Sequence, residues 1–288
     1  MFWKKDMLFC DINPTCFMIS TEKEILKRRL KDHSGHETFA AEISREKLPN
    51  VIAGHSSKLI KKGVERRLQE NKAVNIRLAC RKLNGLVIHP GEVFSFWRTI
   101  GRVTRWKGYQ AGRVLVKNEL IPGTGGGSCN LGNTIHYMVL HSPLDVVEFH
   151  SHSDALAPDV GERVPFAAGT SVCYNYIDYR FKNNTEQDVQ LLLWCDEEKL
   201  YGELRSERAF PWRYELFEEE HRFQKEGEKF YRVSKIYRNV IERESGEVLK
   251  KELVLDNHSE VMYNYDLIPR DQIRETEKEV DKAEEPAV

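Results

Sequence analysis

Three consecutive glycines, Gly125-Gly126-Gly127, run into Ser128-Cys129 and then into residues with helical spacing: Leu131, Thr134, Ile135, Met138 and Val139. This stretch constrains the chain more than any other. Glycine weakens the interior of a helix or strand, and it accepts backbone conformations closed to other residues. The triplet therefore reads as a tight turn that delivers the chain into a helix, with Cys129 at the helix N-terminus. Unpaired N–H groups and the positive end of the helix dipole meet there, which predicts a thiolate of lowered pKa. The same N–H groups could hold an oxyanion or a phosphate. Without Cβ atoms, the loop also lets another molecule approach the backbone. Cys129 is thus a candidate nucleophile, with Gly125, Gly126, Gly127, Ser128 and Asn130 as candidate substrate-binding positions. A buried structural cysteine after a flexible loop is the other reading of the same residues.

On either side of this turn the texture changes. Residues 20–50 are dominated by charge, and Leu26 and Leu30 are spaced for a short amphipathic helix. From Lys58 to Leu83 the pattern is again helical, with Asn84-Gly85 as its stop. The cations Lys58, Lys61, Lys62, Arg66 and Arg67 suit a solvated face or an anionic partner. Strand-like runs follow at 86–88, 93–97, 114–116, 120–122, 146–153, 171–182 and 189–195, and Lys117-Asn118 suits a tight hairpin. After Asp196, acids and bases alternate. Two further runs, 231–240 and 248–255, flank a turn at 244–247 and predict a β-hairpin in a polar extension. From 271 to 288 the chain is almost wholly charged, and disorder is expected.

Phe149-His150-Ser151-His152-Ser153 is the second stretch with chemistry in it. In a strand, His150 and His152 point to one face, roughly 6.5 Å apart. One could serve a thiol nucleophile as general base, with the other or an acid orienting it. The pair could equally be metal ligands with Cys129 or Asp154, or structural histidines. Asp178 sits among alternating apolar and polar neighbours, where it could face solvent, pair with Arg180 or meet a substrate. His136 lies seven residues beyond Cys129, about 10 Å along the same helix face. It reads as a supporting group rather than a direct base. Cys10, Cys16, Cys80, Cys173 and Cys195 lie in apolar or strand-like settings and are assigned to packing.

Composition removes several function classes. The 44 basic and 45 acidic side chains leave a formal charge of −1, which argues against binding nucleic acid through bulk positive charge. Six scattered cysteines without a C-x-x-C pair argue against a disulfide scaffold or a structural zinc site. No cofactor or metal is expected. No run of eighteen apolar residues occurs, so no transmembrane segment is expected. The uncharged stretch from Met7 to Ile19 is broken by Asp11, Asn13 and Pro14 and does not read as an export signal. A cytoplasmic protein with reduced thiols is the expectation.

Taken in order, Pro90-Gly91-Glu92-Val93-Phe94-Ser95-Phe96, Gly125–Cys129, Phe149-His-Ser-His152 and Phe181-Lys-Asn-Asn-Thr185 resemble the VanW-like domain family over roughly residues 50–205. The resemblance implies an accessory role in B-type glycopeptide (vancomycin) resistance. The proteins of such a cluster remake peptidoglycan precursors to end in D-Ala-D-lactate, and are potential partners. It also implies a peptidoglycan stem peptide or precursor as substrate. Some exported members are linked to L,D-transpeptidase activity, with the glycine-preceded cysteine as nucleophile. By that likeness Cys129 would accept the acyl group, and His150 and His152 are the histidines of the family's H-x-H segment. A non-catalytic module binding precursors or a partner resistance protein is the alternative. This chain departs from the family in having Asn130-Leu131-Gly132-Asn133 after the cysteine, and Gly169 where many members carry an aspartate. The expected fold is α+β: a mainly antiparallel sheet, a central helix starting at Cys129, a helical N-terminal region and a polar C-terminal hairpin. The expected divisions are 1–49, a domain at 50–205, an extension at 206–270 and a tail at 271–288.

Overall fold

In the computed structural model the chain forms two compact units, residues 1–151 with 168–210, and residues 152–167 with 211–288. The described residues are 8–60, 65–116, 119–151, 154–155, 169–174 and 176–275. The architecture is α+β with antiparallel sheets, as the sequence predicts.

The first unit opens with α1 (Pro14–Ser34). Asn13 and Pro14, read above as breaks, start this helix. The Asn13 side chain accepts from the Cys16 N–H, and Pro14 takes the first position, where a missing N–H costs nothing. The apolar face predicted from Leu26 and Leu30 is not the packed one: these residues are 58% and 59% exposed. Ile25 is buried instead, and Arg28 and Asp32 turn inward to ion pairs.

Next come β1 (Asn50–Lys58) and α2 (Arg66–Leu83). The helix predicted from Lys58 begins only at Arg66, because Lys58 is the last residue of β1 and pairs with Lys199. Lys61, Lys62 and Val64 lie outside the described residues. Asn84 and Gly85 stop α2 as expected, with Gly85 at φ +89°. There follow β2 (Leu86–Ile88), β3 (Val93–Ser95), α3 (Phe96–Ile100), β4 (Ala111–Val116), β5 (Glu119–Thr124), α4 (Ser128–Leu140) and β6 (Asp145–Glu148). The strands β4 and β5 form the predicted hairpin, with Val116 opposite Glu119. After β7 (Asp154–Ala155), which belongs to the second unit, come β8 (Arg180–Lys182), β9 (Val189–Cys195) and β10 (Lys199–Ser206).

The first unit holds a four-stranded sheet ordered β1-β10-β9-β2 and a three-stranded sheet ordered β3-β8-β6. On β10, Leu200, Gly202 and Leu204 alternate inward, toward α4. A Cβ on Gly202 would lie 2.6 Å from Cε of Met138, so α4 crosses where the strand has no side chain. Buried residues of α2, α4 and the sheets, among them Ile76, Leu83, Ile135, Met138, Leu191 and Leu204, form one core. Phe94 and Phe181 stack at 4.7 Å between β3 and β8. Among the described residues of the run 171–182, predicted as one strand, Arg180–Lys182 form a strand. Upstream of it, Cys173 bridges Ile177 across a turn, and Thr170 bridges Ser151. The predicted turn at 183–185 is present, and buried Asn183 fixes it by donating to the carbonyls of Ile88 and Gln187.

In the second unit the predicted hairpin is longer and has a third strand. β11 (Trp212–Glu226), β12 (Lys229–Glu242) and β13 (Val248–Val261) run antiparallel. β14 (Ile273–Glu275) and β7 add at the two edges in parallel. The start of the tail predicted to be disordered therefore carries a strand, with Ile273 opposite Phe223. Residues 276–288 lie outside the described residues.

Candidate functional site

Cys129 occupies the second position of α4, as the sequence predicts, after Gly127 as N-cap at φ +109°. The space left by the missing Cβ atoms is taken by the protein itself. A Cβ on Gly127 would meet Cγ of Lys72 at 2.8 Å, and one on Gly125 would meet Val103 at the same distance. The carbonyl of Gly126 accepts from buried Asn75 on α2 at 2.9 Å. Ser128 closes the turn by donating to the Gly125 carbonyl at 2.9 Å. Asn130 reaches Ser57 Oγ on β1 at 3.3 Å. The glycine loop is therefore shaped by docking against α2 and Val103.

The Cys129 thiol packs against the main core and donates to the Val172 carbonyl at 3.9 Å. Burial pushes its pKa above the ordinary thiol value, and backbone hydrogen bonds at Val172 and at Cys129 itself do not offset that. The lowered pKa expected from the helix N-terminus is thus not found. Desolvation of the sulfur outweighs the dipole.

His150 lies close by through the chain that also touches Cys129. Its carbonyl accepts from the Ser171 N–H at 2.7 Å, and the next residue, Val172, is the thiol's partner. The His150 imidazole, however, is turned to Glu148, with Nε2 at 3.1 Å from the carboxylate. Among the described residues, no hydrogen bond joins it to Cys129. His152 lies outside the described residues, as does the side chain of Asp154. Among those described, no group of three potential ligands is arranged around a metal position.

Asp178 is fully buried, and its oxygens are committed to the protein. It accepts from Ser95 Oγ at 2.6 Å, Trp97 N–H at 3.0 Å, Tyr179 N–H at 2.9 Å and Arg180 Nε at 2.7 Å. Of the roles open to it in the sequence, pairing with Arg180 is the one realised. Arg180 in turn grips Asp32 with both terminal nitrogens, at 2.8 and 2.7 Å. Arg28 pairs with Glu148, whose Oε1 also accepts from the Asp178 N–H at 3.2 Å. Burial pushes Glu148 up, but Arg28, His150 and Arg180 more than offset it and hold its carboxyl below the usual range. Arg28, Asp32 and Glu148 were not singled out in the sequence; the available signal was the four-residue spacing of Arg28 and Asp32 on one helix.

His136, also on α4, is buried and neutral. Burial pushes its pKa down to about 3. Its Nδ1 lies 3.1 Å from the hydroxyl of fully buried Tyr179, and its ring stacks on Phe149 at 4.3 Å. It thus packs against Phe149, the residue before His150, and against Tyr179.

The family model described as "VanW like protein" matches residues 71–205. Residues 71–205 are a VanW-like domain. The matched span contains Cys129, His150 and Asp178, whereas Arg28 and Asp32 lie before it. The chain is also similar to the vancomycin B-type resistance protein VanW of Enterococcus faecalis, with 26% identity over 227 residues, 78% of this chain and 82% of that protein. It is 32% identical to the uncharacterized protein YoaR of Bacillus subtilis over 120 residues, 42% of this chain and 38% of that one. No solved structure matches this chain. The chain is thus a homologue of a vancomycin resistance protein, with a VanW-like domain built around α4. Among the described residues, no helix is long and apolar enough to cross a membrane.

Proposed function

We propose that this chain acts in glycopeptide resistance as a cysteine-dependent acyltransferase on peptidoglycan stem peptides or their precursors, with Cys129 as the acyl-accepting thiol. The reading rests on one observation: Cys129 stands at the second position of α4, directly after the glycine loop and one residue contact from the segment bonded to His150. Its likeness to a vancomycin B-type resistance protein supplies the cell-wall context.

In this reading a base takes the thiol proton as sulfur attacks the peptide carbonyl. N–H groups at the start of α4 hold the oxyanion. The C–N bond then breaks, the leaving amine takes the proton, and a thioester remains on Cys129. A second nucleophile, an amine or water, breaks the C–S bond and restores the thiol. Because burial keeps the resting thiol protonated, the base has to act during attack rather than through a preformed ion pair. His150 and His152 are the candidate bases, and His136 packs against Phe149, the residue before His150. In a cytoplasmic setting the substrates are precursors rather than mature wall.

The raised thiol pKa and the engagement of His150 with Glu148 favour a second reading, a non-catalytic module that binds a precursor or a partner resistance protein. Mass spectrometry of precursors and muropeptides from cells carrying wild type or Cys129→Ala separates the two. Acyl transfer predicts a product that disappears with the thiol. Identical profiles, with resistance retained, leave the binding reading.

A further inference from the structure

The geometry points to a second use of sulfur in the first unit: Cys80 and Cys195 form a reversible disulfide that staples α2 to β9 when the protein meets a low-molecular-weight disulfide. The two thiols are 115 residues apart in sequence, yet their sulfurs lie 4.0 Å from one another. A disulfide needs about 2.05 Å. The remaining gap is within reach of side-chain rotation, because the sulfurs already face each other across two elements packed in one core.

The surroundings give the two sulfurs different roles. Cys80 is 4% exposed, whereas Cys195 is only partly buried, so an oxidant reaches Cys195 first. Arg77, one turn before Cys80, donates to the Asp196 carbonyl at 2.7 Å, which brings its guanidinium beside Cys195. The hydrogen bond from Cys80 and the charge of Arg77 pull the Cys195 thiol below its ordinary pKa despite partial burial. Donating that hydrogen bond, together with burial, pushes Cys80 up. Cys195 is therefore the attacking thiol and Cys80 the resolving one.

The exchange balances in two steps. The Cys195 thiolate attacks one sulfur of the oxidant, forms a mixed disulfide and expels one thiolate. Cys80 then gives up its proton and attacks the Cys195 sulfur, and the second half of the oxidant leaves as a thiol. Two protein thiols are oxidised to one disulfide, and the small disulfide is reduced to two thiols.

The staple would act on the helix that shapes the glycine loop. Asn75 and Lys72, both on α2, meet Gly126 and Gly127. Fixing α2 to β9 therefore stiffens the support of Cys129 whether or not Cys129 is a nucleophile. It also closes a long loop, the case in which a crosslink restricts the unfolded chain most.

The test is to treat the full-length protein with glutathione disulfide and map its peptides without reduction. The expected result is a Cys80–Cys195 linked peptide that dithiothreitol removes. The thermal midpoint should rise by several degrees, and that rise should be absent in Cys195→Ser. Cys195 held only as a glutathione adduct with Cys80 free, or pairing of other cysteines ahead of these two, overturns the proposal. The mapping is done on wild type, so it does not depend on a variant folding.

Discussion

The two units keep their polar groups in opposite ways. The first draws charge inside: Asp178 is fully buried, and Arg180, Asp32, Glu148 and Arg28 close around it with hydrogen bonds from Ser95 and Trp97. The second unit keeps most of its charge on the faces of a long sheet, with Arg232 a buried exception. There Arg238 meets Glu252, Lys235 meets Glu220, and Lys251 lies over Tyr237 while reaching Glu219. Its buried apolar cluster is small, Ala155, Phe223, Val261 and Ile268. A buried network loses heavily when one member is removed, because the others stay desolvated. Cross-strand pairs in water are individually weak and readily replaced.

The largest expected effect follows from that contrast. Asp178→Ala removes the acceptor of Arg180 Nε and of the Ser95 and Trp97 donors, while Arg180 keeps Asp32, and should cost about 3–5 kcal/mol in urea unfolding of the first unit. Gly127→Ala comes next, at about 1–3 kcal/mol, because a Cβ at φ +109° would press on Lys72. Its circular dichroism should change little, since the loop can shift while the core stays packed.

His136 adds a pH dependence to the same unit. In the folded protein it takes a proton only near pH 3, whereas an unfolded histidine does so near 6.5. Between these values the unfolded state binds more protons, so stability falls as pH falls, by about 1.4 kcal/mol per pH unit. Unfolding midpoints of wild type and His136→Phe measured from pH 7 to 5 should diverge in slope. Parallel curves would mean that His136 titrates normally in the folded state.

The smallest effect belongs to the second unit. Lys251→Ala, at a site 46% exposed, should cost about 1 kcal/mol or less, and less still in high salt. A loss equal to that of Asp178→Ala would break the comparison between the units.

What the sequence disclosed follows the same division. The glycine turn, the helix after Cys129, the pairing of β4 with β5 and the stop at Asn84-Gly85 were legible, because local backbone chemistry decides them. The strand β11 was not. Its residues Glu218, Glu219 and Glu220 look like solvated loop until strands β12 and β13 of the same sheet supply Lys235 and Lys251. Nor could the inward turn of Arg28 and Asp32 be read, since their partners are more than a hundred residues away. The pKa of Cys129 was misjudged for a related reason. The dipole of α4 is a local property, whereas the burial that outweighs it comes from Val172 and the core.

The proposed acyl transfer requires Cys129 to carry an acyl group in turnover. Intact-mass and peptide mapping after incubation with a stem peptide should show a thioester adduct on the peptide containing Cys129, released by an amine acceptor and missing in Cys129→Ser. A Cys129 that binds stem peptide but never gains its acyl mass, with no product released, would contradict it.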